Sequence, residues 1–114
     1  MKIILWHNPR CSTSRKALKM LEEAGAEVEI RKYLEDAPSE KEIREVLAAL
    51  DIRPIEMMRP KEGLFKELGL TRDGDPETLI AAMAAHPRLI ERPIAIRGGI
   101  ARLGRPPEKV LELV

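Results

Sequence analysis

Cys11 is the only cysteine in the chain, and the residues around it are the ones best suited to do chemistry. It follows His7-Asn8-Pro9-Arg10 and precedes Ser12-Thr13-Ser14-Arg15. A short apolar run, Ile3 to Trp6, stops at His7-Asn8-Pro9 and reads as a buried strand entering a loop. Ala17, Leu18, Leu21 and Ala24 then recur at helical spacing, with Gly25 where a C-terminal cap belongs. Cys11 therefore falls at a helix N-terminus, where free N–H groups and the helix dipole favour the thiolate. In such settings a cysteine pKa falls from about 8.5 to roughly 3.5–7.5, and His7 and Arg15 lie close enough in sequence to assist. The three hydroxyls and Arg15 could cradle an oxyanion, although serine and threonine at a helix start also serve as ordinary caps.

Spacing narrows the chemistry. Ser14 occupies the fourth position of a C-x-x-C pattern, so the arrangement is a dithiol redox motif without its resolving thiol. A lone cysteine cannot close an internal disulfide, and any redox cycle must borrow a second thiol. Cys11 to Arg15 is C-x-x-x-R, two residues shorter than the C-x5-R loop of tyrosine-phosphatase-like enzymes, which excludes that loop. One cysteine and two histidines provide no zinc-type ligand spacing.

The rest of the chain must position these groups. Val28 and Ile30 alternate with Glu29 and Arg31 as in a half-buried strand, completing a βαβ start. Ser39 and Glu42 form a capping box ahead of an apolar face made by Ile43, Val46, Leu47 and Leu50. Leu64, Phe65 and Leu68 predict a short helix closed by Gly69. Asp75-Pro76 caps another that carries Leu79, Ile80 and Met83 and ends at His86-Pro87. Ile94-Ala95-Ile96 and Ile100-Ala101-Arg102-Leu103 flank Gly98-Gly99 as a hairpin with positive φ at its turn. Pro106-Pro107 opens a last helix expected to pack Val110, Leu111 and Val114. The order βαβ, helices, ββα predicts a mixed four-stranded sheet flanked by helices, with a helical insert between its halves, in one domain spanning 1–114. Trp6 and Tyr33 read as packing residues, and Met57 and Met58 as packing on a helix face.

Composition bounds the function. The 114 residues suit one domain; 44% are hydrophobic, 34% charged and 3% aromatic, which calls for an aliphatic core. Twenty basic residues against nineteen acidic ones leave a net charge of +1, with no polyelectrolyte footprint for nucleic acid or an anionic membrane. No apolar run approaches the 18 or so residues of a membrane span, and no signal-peptide pattern follows the start, so a cytoplasmic location is expected.

The segment His7-Asn8-Pro9-Arg10-Cys11-Ser12-Thr13-Ser14-Arg15 resembles the active-site loop of the glutaredoxin-coupled arsenate reductases. The likeness extends along the chain through Tyr33-Leu34-Glu35, Met58-Arg59, His86-Pro87, Glu91-Arg92-Pro93-Ile94 and Gly104-Arg105-Pro106. It implies a thioredoxin/glutaredoxin-like fold and reduction of arsenate, or a similar oxyanion, to arsenite. Cys11 would be the nucleophile, and Arg59, Arg92 and Arg105 would bind the oxyanion. His7, Ser14 and Arg15 match supporting positions around the thiolate, and Pro93 matches the cis-proline opposite the cysteine. No tightly bound cofactor or metal is implied; glutathione would be the co-substrate and glutaredoxin the partner that resolves the mixed disulfide. Ser12 stands where the best-known members have glycine, Pro60 follows Arg59, and the chain stops at Val114 without their C-terminal tail, which marks a short branch. Two other readings share the pattern. One is a monothiol oxidoreductase acting on glutathione mixed disulfides or another oxyanion. The other is a redox regulator binding RNA polymerase, against which Ser14 and the three arginines count. Arg88, Arg97 and Arg102 match no family role and read as surface charge.

Overall fold

The computed structural model describes residues 1–114. Four strands, β1 (Lys2–Trp6), β2 (Glu27–Arg31), β3 (Ile94–Arg97) and β4 (Ile100–Leu103), form one sheet in the order β2-β1-β3-β4. β1 runs parallel to β2 and antiparallel to β3, and β3 and β4 form a hairpin. This is the expected mixed sheet. The parallel pair needs a crossover, supplied by helix α1 (Ser12–Glu23), whereas the hairpin turns on Gly98-Gly99 alone. Of the two expected positive φ values only Gly98 has one, at 60°; a left-handed first position followed by an ordinary second is the type II′ pattern, which suits the strand twist.

Two compact units share the chain. The first joins Met1–Asp36 to Arg92–Val114; the second is Ala37–Glu91. In the first, Ile3, Leu5, Ala17, Leu21, Ala95, Val110 and Leu113 form one buried cluster, with Leu18, Ala26 and Val28 packed beside it. Ile3 and Leu5 share one face of β1 because side chains alternate along a strand, and α1 delivers Ala17 and Leu21 one turn apart onto that face. Each fully buried leucine or isoleucine contributes roughly 1.5–3 kcal/mol. Ile30 departs from the expected half-buried pattern: β2 is an edge strand, and Ile30 remains 46% exposed.

The C-terminal segment is also corrected. Residues Pro107–Leu113 form a 3-10 helix, not an α-helix. With three residues per turn, side chains three apart line up, so Val110 and Leu113 are buried while Leu111 and Val114 face solvent. Arg97 donates to the Leu113 carbonyl at 2.6 Å and Arg102 pairs with Glu112 at 2.7 Å, tying the hairpin to this helix. On the first unit Trp6 and Tyr33 are buried and stacked, centroids 6.5 Å apart, with the Arg31 guanidinium 5.6 Å from the Trp6 ring centroid.

The second unit is helical: α2 (Glu40–Leu50), α3 (Gly63–Glu67) and α4 (Pro76–Ala85), with 3-10 turns at Pro54–Met57 and Pro87–Leu89. The capping box is present, Glu42 N–H donating to Ser39 Oγ and Ser39 N–H to Glu42 Oε1, both at 3.1 Å. Asp75 caps α4 by accepting from Glu77 N–H. α4 packs against α2 and both 3-10 turns through buried Leu79, Ile80 and Met83. Met57 ends a 3-10 turn, but Met58 is not on a helix face: it bridges Ile90 in a short antiparallel contact, where backbone pairing overrides helical periodicity. No helix is long and apolar enough to cross a membrane.

Candidate active site

Cys11 is itself the N-cap of α1, with φ −92° and ψ 122°. The loop before it is held by its own backbone. Cys11 N–H donates to the Asn8 carbonyl at 3.0 Å, and Arg10 N–H to Asn8 Oδ1 at 3.0 Å, which closes a tight turn around Pro9. The first helical N–H groups have no intrahelical acceptors, and those of Ser14 and Thr13 act on the charge of the sulfur without closing a cap hydrogen bond to it.

The charge balance at the sulfur is resolved. Burial works to raise the Cys11 thiol; the Ser14 N–H, the Arg92 guanidinium through a hydrogen bond and its charge, and the Thr13 N–H outweigh it and hold the thiol below its ordinary range. Arg105 adds a second guanidinium, its Nη2 standing 3.6 Å from Cys11 Sγ. The sulfur thus sits between a helix N-terminus and two arginines, a setting that stabilises a thiolate and would also receive the oxygens of an anion.

The flanking residues act on the loop. His7 is buried, 5% exposed, and its Nδ1 lies 2.7 Å from the Oγ of fully buried Ser14, which also accepts the Asn8 N–H at 3.1 Å. Burial, then the charges of Lys32 and Arg15, push His7 below the ordinary histidine range. The imidazole is therefore neutral near pH 7, and what His7 gives the site is not charge. It anchors Ser14. Arg15 likewise points elsewhere: its Nη1 donates to the Pro9 carbonyl at 2.9 Å, bracing the turn, while the guanidinium that lowers the thiol is Arg92.

Arg92 and Arg105 come from the ends of the hairpin. The Arg92-Pro93 and Arg105-Pro106 peptide bonds are both cis. Arg59 belongs to the Ala37–Glu91 unit, where its N–H donates to the Leu89 carbonyl at 2.8 Å and its guanidinium pairs with Glu91 at 3.6 Å and Glu62 at 3.7 Å. Arg88 shares Glu62, at 2.6 Å. The N–H groups of Thr13 and Ser14 have no signature in residue type, since any residue at that position of a helix start would provide them. No group of three or more histidine, cysteine or acidic side chains is arranged to hold a metal.

The ArsC family model matches residues 6–113. The chain belongs to the ArsC family. Among curated relatives, the protein called Uncharacterized protein YfgD of Escherichia coli K12 is 46% identical, over 99% of this chain and 97% of its own length. A Neisseria meningitidis protein named Arsenate reductase is 44% identical, over 96% and 95% respectively. The solved structure described as an arsenate reductase from Vibrio cholerae superposes with a TM-score of 0.96 at 46% identity, covering 100% of this chain and 98% of that one. The sheet and helices of this ArsC-family chain are those of the thioredoxin-like α/β class.

Proposed function

We propose that the protein reduces arsenate to arsenite, with Cys11 as its nucleophile and glutathione and glutaredoxin as external reductants. The observation that carries this reading is the lowered Cys11 thiol, set at a helix N-terminus with Arg92 and Arg105 at its sulfur. Membership of the ArsC family and the relatives named Arsenate reductase support the choice of substrate.

The Cys11 thiolate attacks arsenic(V) and forms a sulfur–arsenic bond. One arsenate hydroxyl leaves and takes a proton to become water. Arg92 and Arg105 neutralise the bound oxyanion and the charge gathered as that oxygen departs. Glutathione thiolate then attacks Cys11 Sγ. The sulfur–arsenic electron pair leaves with arsenic, which becomes arsenic(III), and the two thiols are oxidised to one mixed disulfide on Cys11. Arsenite takes up protons and dissociates, and the glutaredoxin thiol removes glutathione to restore the thiolate. Because Cys11 is the only cysteine, the second thiol must come from outside. Phosphate shares arsenate's shape and charge, so discrimination lies in the soft thiolate's ability to reduce arsenic(V) and not phosphorus(V).

The test is NADPH oxidation coupled through glutathione reductase, with glutathione, glutaredoxin and arsenate present. Arsenate-dependent turnover is expected in wild type and absent in Cys11→Ser. Arg92→Ala is expected to lose arsenate turnover while attack on a glutathione mixed disulfide changes far less. Equal loss of both activities, or no arsenate turnover from an alkylation-competent thiolate, overturns the reading.

A further inference from the structure

Arg105 is an exposed residue at a chain bend, yet its guanidinium stands at the sulfur. The bend is built. Arg105 N–H donates to the Leu103 carbonyl at 2.9 Å, a three-residue turn with Gly104 at its centre. Gly104 N–H donates to the Pro93 carbonyl at 2.8 Å, extending the hairpin by one pair beyond Ile94–Leu103. Gly104 itself is buried. A Cβ placed on it would lie 2.7 Å from Pro93 Cγ and 3.1 Å from Val110 Cγ1, so the backbone passes between the proline ring and the C-terminal 3-10 helix with no room for a side chain. Just beyond the bend, Arg105 Nε donates to the Arg92 carbonyl at 2.9 Å, and its other arm reaches Cys11 Sγ.

From this geometry we propose that Gly104 is a positioning residue for anion recognition: its side-chain-free passage against Pro93 and Val110 sets the turn that hangs the Arg105 guanidinium on the Arg92 carbonyl. The two arginines are thereby fixed as one unit facing the sulfur. Arg105 holds the Arg92 carbonyl through Nε and reaches the sulfur through Nη2 of the same planar fork, and the backbone of one arginine orients the side chain of the other. The proposal rests on the reading of Arg92 and Arg105 as anion binders given above. It goes beyond that reading in assigning their alignment to a residue that touches no substrate.

The test uses the full chain and follows protection of Cys11 from iodoacetamide by arsenate and by inorganic phosphate, which need not be turned over. This keeps failure of the positioning idea separate from failure of the arsenate reductase reading. Gly104→Ala is expected to weaken protection by both anions roughly ten- to a hundred-fold, the scale of a hydrogen bond to a charged group. The pH midpoint of labelling without anion should rise less in Gly104→Ala than in Arg92→Ala, because the Ser14 and Thr13 N–H groups and Arg92 stay in place to lower it. Combined with Arg105→Ala, it should add little further loss, whereas an unrelated structural defect adds in full. Arg105→Lys keeps the charge without an Nε donor for the Arg92 carbonyl, and is expected to match the loss in Gly104→Ala; it decides the matter should the alanine variant not fold. Wild-type protection in either folded variant, or full additivity in the double variant, overturns the proposal. Weakened protection without any arsenate turnover in wild type would uphold it and remove the substrate assignment alone.

Discussion

At the scale of single residues, the site works by setting opposed effects against each other at one sulfur atom. Burial alone would make Cys11 a poor nucleophile; two helix N–H groups and Arg92 reverse the sign. Iodoacetamide labelling should therefore show a midpoint below about 8.5, the ordinary cysteine value. Arg92→Ala should move that midpoint up by more than Arg15→Ala, because Arg15 spends its guanidinium on the Pro9 carbonyl. A larger rise in Arg15→Ala would contradict the assignment. The linkage has the same sign: a thiol lowered in the native state contributes stability above its unfolded pKa, and loses it as pH falls through the native value. Cys11 and its loop were readable because strand, proline and helix signals bracket them. The neutral state of His7 was not, since it depends on burial that only the packed chain imposes.

At the scale of elements, periodicity predicted where helices and strands lie, and geometry decided which side chains they bury. The segment Pro107–Leu113 shows the difference: the sequence pattern selects Val110, Leu111 and Val114, whereas the 3-10 helix that forms buries Val110 and Leu113. Leu113→Ala should thus cost about 2–4 kcal/mol in urea unfolding, against less than about 0.5 kcal/mol for Leu111→Ala. Equal costs would restore the α-helical reading. Helix α2 ends on Asp51, a non-glycine residue in the left-handed region at φ 56°. Replacing it with glycine, which adopts that conformation without a Cβ penalty, should stabilise the chain by about 0.5–1 kcal/mol. An unchanged or lower thermal midpoint would count against it. The caps at Ser39 and Asp75 were legible because capping depends on a side chain within three residues of its acceptor.

At the scale of the whole molecule, stability should follow pH through His7. Its native pKa lies below the unfolded value of about 6.5, so between the two values the unfolded chain holds the extra proton. Stability is then complete above that window and declines as pH falls through it. Urea unfolding between pH 7.5 and 5.5, roughly the range over which an ordinary histidine titrates, should show the decline, and His7→Asn should flatten it. A slope unchanged by that substitution would assign the titration elsewhere. Element order, the mixed sheet and the cysteine at a helix start are legible along the chain, because they follow from local periodicity, capping and the reach of short connections. Nothing in an arginine's neighbours along the chain tells surface charge from anion contact, so only family resemblance singles out Arg92 and Arg105 there. Their meeting at Cys11, the passage of Gly104 between Pro93 and Val110, and the exposure of Ile30 were decided only by tertiary structure. Each joins or separates residues far apart in sequence, and close packing, which has no period along the chain, determines which atoms touch.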